Sequence, residues 1–136
     1  MIESLIQFKE GKNVLLEVKK KYAELKKIVK NIFQTKKFSR ASLDAVMSFG
    51  EQLSAYIVSE AIKNRGILCE FVDVRTLIKT DDNFGSANVD LKSSDKLISN
   101  YFKNRNTLTV MGGFIASTQK GITTTLSRGG SDYTAS

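Results

Sequence analysis

Along residues 13–34 the apolar positions Leu15, Val18, Tyr22, Leu25, Val29 and Ile32 recur at alternating spacings of three and four. That spacing sets one apolar stripe on a helix, with lysines on the remaining faces. A second helix is predicted from about Ser42 to Arg65, with Ser39 or Ser42 as its cap and Gly66 as its left-handed stop. Its apolar set is Leu43, Val46, Met47, Leu53, Tyr56, Ile57 and Ile62. The run "ILCEFVDV", Ile67 to Val74, is β-branched and apolar enough for a buried strand. "KTDDNFGSAN" reads as a polar turn region. A short extended piece and a helix follow, the helix capped by Ser93 or Ser94. Thr107 to Met111 is a second strand, broken by Gly112-Gly113, and "IASTQKGITTTL" is a hairpin turning at Lys120-Gly121. Strands alternating with helices predict an α/β fold around a mainly parallel sheet.

Composition narrows this picture. The 136 residues suffice for one domain with its own core, and no stretch approaches the ~20 apolar residues of a membrane helix. The first residues lack the layout of a secretory signal. One cysteine, Cys69, and no histidine exclude a disulfide framework and argue against a structural zinc site. The net charge of +7 is confined to one segment. Residues 1–40 hold eleven Lys or Arg against four acids, whereas residues 41–136 hold ten of each. A basic helix can meet a polyanion or a partner chain, but its lysines are not interleaved with aromatic residues that would stack on bases. A solvated face opposite a packed seam is the simpler reading. The same seam could pair with a second copy of the chain.

Chemistry concentrates at two glycine pairs that follow strands, Gly112-Gly113 and the "SRGGSD" corner after "ITTTL". Such pairs let backbone amides approach a ligand without Cβ interference, and Arg128 offers a planar fork for a carboxylate or phosphate. A structural turn with a capping Ser131-Asp132 is the competing reading. Neither glycine pair has the spacing of a Walker loop or of a dinucleotide fingerprint. Asp132 would repel a bare anion, which suits a site that also handles cations, as in phosphoryl transfer. Gly50, inside the second helix, costs about 1 kcal/mol relative to alanine. From spacing alone its neighbour Glu51 reads as a surface glutamate.

The motifs "SFGEQLSA", "TDDNFGSANVD", "VMGGFIAS" and "GITTTLSRGGSDYTA", in this order, resemble successive motifs of the aspartokinases, within the amino-acid kinase family. The likeness runs from about Ser48 to Ser136. It implies a three-layer α/β/α sandwich, here incomplete, with residues 1–40 as a basic helical segment and 41–136 as the aspartate-binding part. It also implies transfer of the ATP γ-phosphoryl group to the side-chain carboxylate of L-aspartate in the cytoplasm, at the head of lysine and threonine biosynthesis. Carried over by motif, Glu51 would hold the substrate ammonium group and Phe114 would line the pocket with its backbone. Arg128 and Ser131 would take a substrate carboxylate, Thr125 would sit near the substrate, and Asp132 would organise the catalytic lysine. On the same likeness Gly50 would allow the substrate to come close. The family's Lys-Phe-Gly-Gly-Thr/Ser stretch, its nucleotide-binding half and its regulatory domains have no counterpart in these residues. The expectation is therefore a partial catalytic domain, inactive alone, with ATP and Mg2+ belonging to the complete enzyme. The alternative is a non-catalytic module that binds a partner chain or polyanion through the basic helix.

Overall fold

A computed structural model describes residues 8–127 and 129–135. Helix α1 (Phe8–Thr35) starts five residues before the amphipathic stretch predicted from the sequence. Helix α2 (Arg40–Lys63) opens with a reciprocal cap: the Ser39 hydroxyl accepts the Ser42 amide, and the Ser42 hydroxyl accepts the Ser39 amide. Its stop comes where expected, with Gly66 at φ +78°.

The strands are shorter than the apolar runs that announce them. Of "ILCEFVDV", β1 keeps only Cys69–Phe71, and a 3-10 turn at Val74–Thr76 follows, capped by Asp73. Strand β2 (Lys79–Thr80) lies inside what the sequence presents as a polar turn region. Helix α3 (Leu91–Phe102) is capped by Asp90, whose carboxylate accepts the amide and the hydroxyl of Ser93. That corrects the expected serine cap. Ser94 is instead buried, and its hydroxyl accepts the Lys79 amide at 2.9 Å, tying α3 to β2. Strands β3 (Leu108–Val110), β4 (Ile115–Thr118) and β5 (Thr123–Thr125) and helix α4 (Gly130–Ala135) complete the order.

Pairing is parallel for β1 with β3 (Cys69 opposite Leu108) and for β2 with β4 (Lys79 opposite Ser117). It is antiparallel for β4 with β5, the expected hairpin, which turns at Gly121. The strands thus fall into two hydrogen-bonded groups, β1-β3 and β2-β4-β5. Helix α2 packs on β1, β3 and β5, and α3 lies on β2. Val74, Ile78, Ile115, Ala116 and Leu126 form the core, with Met111 and Phe114 packed against it.

Helix α1 packs on α2, but along a seam rotated from the predicted one. Val14 is buried and Val18, Leu25, Ile28 and Ile32 are half-buried, as is Leu15 of the predicted stripe, whereas Tyr22 (64% exposed) and Val29 (48%) stand outside. Lys21 takes the inward place. Its stem lies along the seam and its ammonium donates to Gln52 Oε1 at 3.3 Å. Gln52 is buried and also accepts Arg75 Nη2 at 3.0 Å, while Arg75 donates to Thr123 Oγ1 and grips Asp73. This network joins α1, α2, the 3-10 turn and β5.

Burial alone would push the Asp73 carboxyl up; the hydrogen bonds and charge of Arg75 outweigh it and hold it below the usual carboxylate range. The group is depressed on folding, so the stability it contributes is present above its unfolded pKa of about 3.9 and is lost as pH falls through the lower folded value. Asp73→Asn is expected to cost about 1–3 kcal/mol at pH 7, because it leaves a half-buried guanidinium short of its partner. Urea melts at a series of pH values should show the gap to the parent chain closing as pH falls below the unfolded value of about 3.9.

Candidate functional site

The two ends of the site come from elements far apart in sequence, and a glycine pair after β3 brings them together. Gly112 lies against α2 at Glu51: a Cβ built on Gly112 would stand 3.2 Å from the Glu51 carbonyl oxygen and 3.3 Å from its Cβ. Gly113 lies against the first turn of α4: a Cβ there would stand 2.8 Å from Ser131 Cα and 3.0 Å from Ser131 Oγ. The contact at Gly113 leaves no room for a side chain, and that at Gly112 admits one only if Glu51 gives by a few tenths of an ångström, which is the physical reason for glycine there. Consecutive residues thus touch Glu51 on one side and Ser131 on the other. Glu51, which its spacing alone reads as a surface glutamate, is half-buried. The helical glycine, Gly50, faces open space, so no packing within the described residues requires it.

Phe114 follows with φ +68°, a conformation few non-glycine residues adopt. The Ile115 amide reaches back to the Gly113 carbonyl at 2.8 Å, closing a three-residue γ-turn around Phe114. Such turns store strain and persist only where the surroundings hold them. Here the hold is double. The Phe114 side chain packs on the core, and its carbonyl accepts the Leu126 amide at 2.8 Å.

Strand β5 leads into the second glycine pair. Gly129 has φ +86°, and Gly130 fits against Leu126 so closely that a Cβ would lie 2.5 Å from the leucine Cβ. Ser131 and Asp132 follow, both exposed, with Asp132 in the first turn of α4 where a negative charge is favoured. Arg128 lies outside the described residues. A hollow of about 370 Å³ borders this corner, walled by Asn88, Leu126, Ser127, Gly129 and Gly130 among others; Glu51 is not in its wall.

Thr125 is buried, and its hydroxyl donates to Asp44 Oδ1 at 2.8 Å, so its polar group faces α2. Asp44 is a feature the sequence reading missed. It sits among the apolar positions of α2, and its three partners are 41 and 81 residues away, so local pattern carried only one signal: an acid in a core stripe. Among the described residues no group of three or more acidic or cysteine side chains could hold a metal ion. No described helix is long and apolar enough to cross a membrane.

Residues 7–136 match the amino acid kinase family. Lysine-sensitive aspartokinase 3 of Escherichia coli K12 is 39% identical over 99 residues, covering 71% of this chain and 22% of the relative. An aspartokinase of Chlamydia muridarum is 34% identical over 91 residues, or 67% of this chain and 21% of the relative. The chain therefore spans about a fifth of the length of these two relatives. The crystal structure of E. coli aspartokinase III with aspartate and ADP superposes with a TM-score of 0.88 at 29% identity, over 99% of this chain and 30% of that one. The α/β architecture, short as it is here, is thus of the amino-acid kinase type.

Proposed function

We propose, for a chain that belongs to the amino acid kinase family, that it forms the aspartate-binding part of an aspartokinase catalytic domain. The reaction of the complete enzyme would move the ATP γ-phosphoryl group onto the side-chain carboxylate of L-aspartate, in the cytoplasm. The observation that carries the reading is the pair of contacts at Gly112 and Gly113, with Glu51 on one side and Ser131 on the other. A zwitterion needs an anion at one end and donors at the other. Glu51 would take the ammonium group, and Arg128 with the Ser131 hydroxyl would take a carboxylate. Phe114 would present its strained backbone to the ligand, Thr125 would shape the wall behind it, and Asp132 would orient a lysine of the nucleotide side. The likeness to a solved aspartokinase holding aspartate and ADP supports the assignment. ATP would supply the phosphoryl group. Magnesium, which would neutralise its phosphates, finds no ligand cluster among the described residues, so its ligands are not assigned to them.

Titration of the chain with L-aspartate in a calorimeter tests the proposal. Arg128→Ala is expected to weaken binding by about 1.5–3 kcal/mol, the worth of a hydrogen bond to a charged group. An unchanged affinity would make the arginine structural. No heat from the parent chain up to tens of millimolar would remove the proposal.

A further inference from the structure

One carboxylate in the fold has no place in the roles above. Asp44 is fully buried, at 0% exposure, and no described ion pair includes it. Its Oδ2 accepts the backbone amides of Gly85 at 2.9 Å and Thr125 at 3.0 Å, and its Oδ1 accepts the Thr125 hydroxyl at 2.8 Å. A buried carboxylate without a counter-ion is costly unless its hydrogen bonds are filled, and here three donors from two distant segments fill them. An aspartate suits the place because it only accepts and carries two oxygens on a short stem.

We propose that Asp44 is a positioning residue of the aspartate site, locking the helix that carries Glu51 to the strand that delivers the glycine corner. This rests on the aspartate-site reading above. Asp44 stands seven residues before Glu51, two helical turns along nearly the same face, so α2 is a stiff bar of about 10 Å between them. At its other end Asp44 holds both polar groups of Thr125 that face it. The next residue, Leu126, donates to the Phe114 carbonyl and packs against Gly130. A shift at Asp44 therefore reaches the strained turn and the corner through a single residue. The Gly85 turn is held to the same strand, since the Ala87 amide donates to the Thr125 carbonyl at 3.0 Å. Opposite the glycine pair, Glu51 is thus set by the same carboxylate that sets Ser131.

Asp44→Asn and Asp44→Ala separate positioning from mere stabilisation. The asparagine keeps an oxygen for the two amides, and its NH2 group can donate to the Thr125 hydroxyl, which then accepts. Alanine leaves the buried Thr125 amide without a partner and frees the exposed Gly85 turn. In the ligand-free chain the amide NMR signals of Gly112, Gly129, Gly130 and Ser131 are expected to move in Asp44→Ala and to return close to their parent positions in Asp44→Asn. L-aspartate affinity, measured at a temperature where circular dichroism shows each variant folded, should fall at least about tenfold in the alanine variant and by less than about threefold in the asparagine variant. Should Asp44→Ala not fold, Thr125→Val removes the hydroxyl bond alone. It should still shift the corner signals and weaken binding by roughly threefold. The inference is overturned if corner signals and affinity stay put while only the melting temperature drops, if asparagine behaves as alanine does, or if Thr125→Val leaves both readouts unchanged. Should the parent chain fail to bind aspartate, the functional reading falls, while the ligand-free signals still decide what Asp44 holds in place.

Discussion

Gly113→Ala is expected to remove aspartate binding while leaving most of the fold in place. The added methyl would stand 2.8 Å from Ser131 Cα and 2.9 Å from its Cβ, backbone and near-backbone atoms that cannot rotate aside. Either α4 moves off or the glycine segment does, and overpacking of this kind costs about 1–3 kcal/mol of stability. Affinity should suffer more than stability. In the proposed site Ser131 would supply its hydroxyl from the displaced turn, and an error of about 1 Å at a binding group is enough to undo its hydrogen bond. A loss of L-aspartate affinity beyond about thirtyfold, with a melting temperature lowered by only several degrees, is the expected combination. Gly50→Ala, where the added methyl meets nothing among the described residues, is the matched control for fold and helix content.

Glu51→Gln should produce the second large effect, and a selective one. The substitution keeps the side-chain shape and removes the charge proposed to face the ammonium group. A charge-assisted hydrogen bond is worth about 1.5–3 kcal/mol, so L-aspartate should bind roughly ten- to a hundredfold more weakly. Succinate, which has both carboxylates and no ammonium group, gives the sharper comparison. The parent chain should prefer L-aspartate to succinate, and Glu51→Gln should erase that preference. Equal loss for both ligands would mean that the glutamate supports the site without touching the ammonium group.

How much of this was legible beforehand depended on the range of the interactions involved. Helix α2 and the β4-β5 hairpin were readable because caps, a stop glycine and a turn glycine act within a few residues. Strand β2 was not, since Lys79 and Thr80 become a strand only by pairing with Ser117 and Thr118, nearly forty residues on. Asp90 was passed over as a cap because "VDLKSS" offers two serines deeper in the segment; one of them, Ser94, is instead buried under β2. On α1 the seam is rotated from the predicted one. Lys21 reaches a buried glutamine, so a long charged side chain fills a place that a hydrophobic scale assigns to Tyr22. In the candidate site, the two glycine pairs and their flanking residues were visible as motifs. That Gly112 answers to Glu51 and Gly113 to Ser131 was not, because a close approach between segments leaves no periodic trace. Asp44 was the least visible, with every partner distant and only its acidity to mark it.

The account stands on Glu51 and the Ser131 turn serving one small ligand across the glycine pair. A titration of the 15N-labelled chain with L-aspartate, followed residue by residue, tests this most directly. The amide signals of Glu51, Gly112, Gly113 and Ser131 are predicted to shift together along one saturation curve with a common dissociation constant. Shifts confined to one side of the pair, or separate curves for Glu51 and Ser131, would contradict it.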